Sequence, residues 1–160
     1  MRATRVVLAA GVFLAVVLTV AAGCGSGSDG SSGGGGGGSA TSAAALAGTS
    51  WRLTGWSVSS QDPNEFTITA EFKDGRIGGT SAVNQYGGPY TAGDDGSFSV
   101  GELVSTMMAG PEPDMKAEKT YLELLRAARK FRVEGDTLTL SDAQGNDSLV
   151  YTRSQASPSP

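Results

Sequence analysis

Two short segments of this 160-residue chain carry residue types suited to binding or modification. One is Cys24, the single cysteine of the chain, which follows the small residues 21–23. The other is the segment 84–90, which offers the amide of Asn84 and the phenol hydroxyls of Tyr86 and Tyr90 around the pair Gly87-Gly88. An amide donates and accepts hydrogen bonds, and glycine adopts left-handed backbone without strain. These residues are candidates for a ligand-binding loop.

A purely structural role is the alternative for the same segment. Asn84 would then hold a turn by hydrogen bonds to the backbone, while Tyr86 and Tyr90 cover the hydrophobic core. The residue types alone leave both interpretations open.

Composition excludes most catalytic chemistry. The chain has no His, which removes the Ser-His-Asp and Cys-His arrangements and any His-ligated metal. One cysteine forms neither an internal disulfide nor a Cys-ligated zinc site. Asp94-Asp95 supplies too few oxygens for a calcium loop, and no carboxylate spacing indicates an acid–base pair. We therefore expect a protein that is not an enzyme, with no catalytic residues, no metal and no cofactor.

The charge balance bears on partners. The chain has 12 Lys and Arg against 16 Asp and Glu, a formal net charge of -4. Nucleic-acid binding depends on neutralising phosphates with basic side chains. We expect no nucleic-acid partner.

The first 23 residues have the layout of an export signal. Arg2 and Arg5 precede an uncharged run over 6–22, which is somewhat short of the roughly 20 residues of a comfortable membrane span. The ending Ala21-Ala22-Gly23 before Cys24 resembles a bacterial lipobox, in which the cysteine thiol receives a diacylglycerol group and becomes the new N-terminus. Ala21 departs from the usual Leu at its position. An uncleaved membrane helix, or ordinary cleavage that leaves a free thiol, is the alternative.

A lipid on Cys24 would hold the chain at the outer, extracytoplasmic face of the cell membrane. Loss of the leader removes Arg2 and Arg5 and leaves a net charge of -6. Anionic headgroups repel such a domain, so the lipid itself must provide the anchoring.

Composition also divides the chain. We expect a signal peptide over 1–23, lipidated Cys24 with a flexible Gly/Ser-rich linker over 24–47, one domain over 48–153 and a disordered tail over 154–160. The domain alternates short β-compatible segments with turn signals such as Asp74-Gly75. One segment, from 114 to about 130, has helical spacing, and its apolar stripe includes Ala117 and Tyr121 and continues to Phe131. The pattern predicts an α+β fold, an antiparallel curved sheet of about seven or eight short strands packed on one helix.

Six motifs in a fixed order resemble the META domain, the HslJ-like family of small bacterial envelope and heat-inducible proteins. They lie at 48–53 (Gly-Thr-Ser-Trp-Arg-Leu), 71–79, 82–90, 105–110 (Ser-Thr-Met-Met-Ala-Gly), 118–125 and 135–140 (Gly-Asp-Thr-Leu-Thr-Leu). The stretch 82–90 resembles the family's Gly-Cys-Asn-x-Tyr-x-Gly-x-Tyr signature. The resemblance covers almost the whole domain.

Val83 and Gly110 occupy the two positions at which members of that family often carry cysteine. Their joint absence is coherent if the two positions lie close together, because a single leftover thiol would be a liability. We expect cysteines introduced at both positions to pair.

The resemblance implies an envelope or stress-related role. We expect a lipid-anchored, non-catalytic binding module, monomeric, whose partner is the membrane through Cys24 together with an envelope protein or ligand that the sequence does not name. A carrier of a small apolar ligand in a curved-sheet cavity is the alternative. A His-free hydrolase that uses carboxylates or tyrosine is less favoured than either.

Overall fold

A computed structural model describes residues 39–58 and 60–154 of the chain. The leader over 1–23, Cys24, residues 25–38 of the expected linker and residues 155–160 of the expected tail lie outside the described residues. Ser154, expected in the tail, is the last residue of a strand.

The described chain forms ten strands and one α-helix. In chain order they are β1 (Ser39–Ala40), β2 (Thr49–Trp56), β3 (Thr69–Lys73), β4 (Arg76–Thr80), β5 (Gln85–Ala92), β6 (Phe98–Val100), β7 (Val104–Ser105), α1 (Glu112–Ala127), β8 (Lys130–Glu134), β9 (Thr137–Ser141) and β10 (Asp147–Ser154). Short 3-10 turns cover Ala43–Ala45 and Pro63–Glu65. Eight of the strands exceed two residues, and the predicted α+β class is confirmed.

All strand pairs are antiparallel, in the order β1-β8-β9-β10-β2-β3-β4-β5-β6, with β7 beside β5. The sheet curls until β6 meets β8. There the Phe98 amide donates to the Arg129 carbonyl at 2.8 Å, and the Phe131 amide donates to the Gly96 carbonyl at 2.9 Å. These bonds make the sheet a nearly closed barrel, which leaves few edge groups unpaired.

Local residue chemistry explains the hairpins. Asp74 and Gly75 both have positive φ, 50° and 72°, and join β3 to β4 as the two-residue turn that matches strand twist. Gly135, with φ 57°, lies in the turn between β8 and β9. The predicted hairpin at Asp74-Gly75 is confirmed.

Helix α1 packs one face against the sheet. Ala117, Tyr121 and Leu125 on that face are fully buried together with the sheet residues Trp51 and Tyr151. Large buried rings of this kind dominate the packing of a small core. No helix of the described residues is both long and apolar enough to cross a bilayer.

The helix ends earlier than its apolar spacing predicts. It stops at Ala127 because Ala128 takes extended backbone, φ -60° and ψ 137°. The Arg129 guanidinium donates to the carbonyls of Arg126 at 2.8 Å and Ala128 at 2.7 Å, which satisfies groups that a longer helix would have paired. Phe131, predicted on the helical stripe, lies in β8 and reaches the same core from the sheet.

The last residues of the expected flexible linker are ordered against the domain, contrary to the expectation. Residues 39–47 lie against the domain, since β1 pairs with Val133 and Glu134 of β8 and Leu46 is fully buried. Asp94 accepts hydrogen bonds from the Ser42 hydroxyl and the Ala43 amide, both at 3.0 Å. Poor in large apolar side chains, this segment gives no strong periodic signal, and its attachment depends on tertiary contacts.

Leu46 provides a test of that attachment. Leu46→Ala should lower the free energy of unfolding by about 2–4 kcal/mol, because it empties a fully enclosed site. Ala47→Ser, at the exposed neighbouring residue, is the matched control and should change it little. Urea unfolding of both variants checks this; equal, small effects would mean that the segment is not packed on the domain.

Candidate functional site

The segment 84–90 belongs mainly to a strand rather than a loop. Strand β5 pairs with β4 over five residues, including Gly78 with Gly87, so its side chains alternate between the two faces of the sheet. Tyr86 and Gly88 are buried, Tyr90 is half-buried, and Pro89 is exposed. The interpretation of this segment as a loop is wrong, because strand pairing overrides the local turn preference of the glycines.

Asn84, in the bend directly before this strand, is almost completely buried and fully hydrogen-bonded. Its side-chain oxygen accepts from the Thr106 hydroxyl and the Met108 amide, both at 2.8 Å. Its side-chain nitrogen donates to the Met108 carbonyl at 3.2 Å and to Glu118 Oε1 at 2.9 Å. Two acceptor and two donor contacts are the full capacity of an amide. None remains for a ligand.

Glu118 of α1 is the second centre of this network. Its Oε2 accepts from the Asn84 backbone amide at 2.8 Å and lies 3.0 Å from the Ser81 hydroxyl. That hydroxyl also lies 2.9 Å from the Asn84 carbonyl, and its single proton serves one acceptor at a time. Glu118 forms no ion pair within the described ranges, and backbone and side-chain donors take the place of a cation.

The turn that presents Asn84 is tight. The Ser81 amide donates to the Asn84 carbonyl at 2.8 Å, and Ala82 between them has φ 79°, which is unusual for a residue with a Cβ atom. The Ala82 amide donates to the Thr67 carbonyl at 3.0 Å. The network with Glu118 therefore holds a strained turn in place.

Three tyrosine hydroxyls form a chain inside the domain. The hydroxyl oxygens of Tyr86 and Tyr121 lie 2.6 Å apart, and the Tyr86 hydroxyl donates to the Thr69 carbonyl at 3.0 Å. The Tyr151 hydroxyl donates to the Tyr121 hydroxyl at 3.4 Å. Burial raises the pKa of Tyr86, Tyr121 and Tyr151 well above the usual value. These phenols therefore stay protonated at neutral pH.

Tyr90 is separate from that chain. Its ring contacts the Phe72 ring edge-on, with 5.0 Å between ring centroids, and stacks on the Phe98 ring with 6.2 Å between centroids. Partial burial raises the pKa of Tyr90. Tyr90 therefore closes one side of the aromatic core. The three candidate residues Asn84, Tyr86 and Tyr90 have the geometry of the structural alternative, and their role as a binding segment stays a prediction.

Residue types alone did not reveal two features. Glu118 interrupts the apolar stripe of α1 between Ala117 and Tyr121, and a carboxylate on such a stripe is a signal that a partner must exist. The other is a surface depression of about 380 Å³ that is lined by Asn84, Glu118, residues 105–109 and Met115. Its three methionines, Met107, Met108 and Met115, are here called the methionine patch.

The positions that resemble the family's cysteine pair are adjacent in space. A Cβ atom built on Gly110 would lie 3.4 Å from the Cβ of Val83 and 2.7 Å from its Cγ2. Disulfides need Cβ atoms roughly 3.5–4.5 Å apart. Val83 thus fills with its methyl groups the space that a side chain at 110 would need.

Comparison with known proteins now identifies the class of fold. The META domain family model matches residues 44–156, and the chain belongs to that family. An NMR structure of a protein from Burkholderia xenovorans is 27% identical, with a TM-score of 0.59 over 70% of this chain and 86% of that one.

Two more distant structures share the fold alone. A second NMR structure is 19% identical, with a TM-score of 0.53 over 68% of this chain and 92% of the other. The crystal structure of a DUF4847 family protein from Bacteroides vulgatus ATCC 8482 is 12% identical, with a TM-score of 0.52 over 70% and 96% of the two chains. No curated protein sequence matches the chain.

Glu118→Gln tests the buried network. A glutamine side chain keeps the shape but presents an NH₂ group to donors of Asn84 or Ser81, so we expect the free energy of unfolding to fall by about 1–3 kcal/mol. Glu123→Gln, on the same helix with an exposed carboxylate 4.0 Å from Lys119, should change it by less than about 0.5 kcal/mol. Chemical denaturation of both variants decides; equal effects would contradict the role given to Glu118.

Val83→Cys with Gly110→Cys tests the adjacency of those positions. In the Cys24→Ser background, the double variant should form a disulfide and gain about 2–4 kcal/mol in free energy of unfolding over its reduced form. Gly110→Cys alone should be destabilised, because its Cβ meets the methyl groups of Val83. Mass spectrometry and thermal unfolding with and without reductant give the answer. A folded double variant that stays reduced under oxidising conditions contradicts the geometry.

Proposed function

We propose that the protein is a lipid-anchored, non-catalytic binding module at the outer face of the cytoplasmic membrane. The observation that carries this proposal is the placement of the single cysteine, Cys24, directly after a basic start, an uncharged run and three small residues. An exported chain that keeps one thiol at that position has a modification site ready for a diacylglycerol group.

The net charge of the chain supports a lipid as the anchor. At -4 with the leader and -6 without it, the chain gains nothing from anionic headgroups. Two or more acyl chains on one residue bind a bilayer firmly, whereas one chain binds only marginally. Residues between Cys24 and the domain would then act as a spacer.

The geometry of the polar side chains supports a role without catalysis. The amide of Asn84 and both carboxylate oxygens of Glu118 are already hydrogen-bonded inside the domain. The hydroxyls of Tyr86 and Tyr121 bond to each other. A general acid or base must reach a substrate proton, and these groups face one another instead.

No observation favours the apolar-ligand carrier. The inside of the curved sheet is occupied by fully buried side chains, among them Trp51, Phe72, Tyr121 and Tyr151. A carrier would need that space for its ligand. We therefore propose recognition on the outer surface of the domain, with an envelope protein or envelope ligand as the partner.

Lipid labelling tests the anchor. Cells given an alkyne-bearing fatty acid should yield labelled, membrane-bound protein from the native chain and unlabelled protein from Cys24→Ser. The matched control Cys24→Ser with Gly30→Cys keeps one thiol but places it directly after the charged Asp29 instead of after small residues, and should also stay unlabelled. Membrane retention of both variants without label would indicate an uncleaved helix and contradict the lipid anchor.

Photo-crosslinking in cells tests the binding role. A crosslinking residue replaces Thr91, which points outward from β5, with exposed Lys130 as the control position. A discrete adduct from 91 that Cys24→Ser abolishes is the expected result. Identical diffuse products from both positions would argue against binding at this strand.

A further inference from the structure

The methionine patch contains every methionine of the chain except Met1. Met107 is 99% exposed, Met108 62% and Met115 38%, and among the described residues the other exposed large apolar side chains are Val58 and Val104. Leaving such side chains in water forgoes roughly 1.5–3 kcal/mol for each one that is fully exposed. Three exposed thioethers around one depression, with none buried in the described core, are an arrangement that packing does not explain.

The buried network fixes the backbones that carry these thioethers. Met108 is held through both its amide and its carbonyl by the Asn84 side chain. Asn84 is held in turn by Glu118, which lies three residues after Met115 on α1 and therefore on the same side of that helix. The hydrogen bonds of the Asn84 side chain thus hold the 107–108 segment next to the first turn of the helix.

The donor atoms of the depression differ in availability. Both oxygens of Glu118, the amide of Asn84 and the hydroxyl of Thr106 are engaged in hydrogen bonds. The methionine side chains are long and flexible, so their sulfur atoms can converge on a common point from a fixed backbone. Sulfur is the donor atom that this surface offers.

We propose that the methionine patch is a binding site for a soft, monovalent metal ion of the Cu(I) class, with Met107, Met108 and Met115 as thioether ligands. Thioethers are neutral, polarisable donors that select Cu(I) over the hard ions, which prefer carboxylate and carbonyl oxygen. Residues 39–58 and 60–154 contain no group of three His, Cys, Asp or Glu side chains that could hold a metal, so a hard or borderline ion has no comparable site there. The acidic net charge of the chain favours the approach of any cation.

This site goes beyond the proposed function and does not depend on it. A lipid on Cys24 is irrelevant to the thioethers, and a thiol at that position would itself bind Cu(I). The full chain with Cys24→Ser, purified in detergent, is therefore the protein to test.

Methyl NMR gives the direct readout. The chain is labelled with ¹³C at the methionine methyl groups and titrated with Ag(I), a redox-stable ion of the same class, and then anaerobically with Cu(I). The methyl signals of residues 107, 108 and 115 should shift together and saturate at one ion per chain, while the Met1 signal serves as the internal reference. Shifts without a stoichiometric endpoint, or shifts of all four signals alike, would overturn the proposal.

Substitution separates sulfur chemistry from apolar surface. The triple variant Met107→Leu, Met108→Leu and Met115→Leu keeps the shape and hydrophobicity of the patch, and should lose stoichiometric Cu(I) in competition with a chromophoric chelator. Val58→Leu, at an exposed apolar residue outside the depression, should bind as the Cys24→Ser parent does. Circular dichroism confirms that each variant is folded. Undiminished Cu(I) binding by a folded triple variant would overturn the site.

Discussion

The hydrogen-bonded contact between Asn84 and Glu118 is the constraint on which much of this domain depends. It joins the start of β5 to the middle of α1, and through the Asn84 amide it also holds the segment that carries Met108. A buried carboxylate is costly unless every lone pair finds a donor. Here the donors come from one strained turn and one amide, so the helix, the turn and the 106–108 segment can be correctly placed only together.

A second set of hydrogen bonds lies in the core of the domain. The tyrosine hydroxyls of Tyr86, Tyr121 and Tyr151 satisfy one another inside the core, next to rings that fill the curved sheet. Polar groups that are fully paired in the interior make a unique packing arrangement, and the same pairing removes them from chemistry at the surface.

Membership of a family identifies the fold of this chain but does not identify its partner. The chain belongs to the META domain family over 44–156, and its fold is shared by structures as little as 12% identical. A fold shared at such low identity says nothing by itself about an activity. What distinguishes this chain must lie in its own residues: Cys24, the pair Val83 and Gly110, and the methionines beside Glu118.

The amino-acid sequence by itself determined the α+β class, the Asp74-Gly75 hairpin and the existence of the helix, because these follow from local propensity and periodicity. Tertiary structure decided the rest. Strand pairing with β4 turned an expected loop into β5, and contacts with β8 and Asp94 brought 39–47 onto the domain. No local pattern announces that Glu118 will meet Asn84, or that Met115 will face the same depression as Met107 and Met108. Asn84 and Glu118 are 34 residues apart in the chain, and only tertiary packing places them together. The methionines are closer in sequence, but Met115 lies in α1 and Met107 and Met108 lie before it, so the packing of that segment against the helix decides whether they meet.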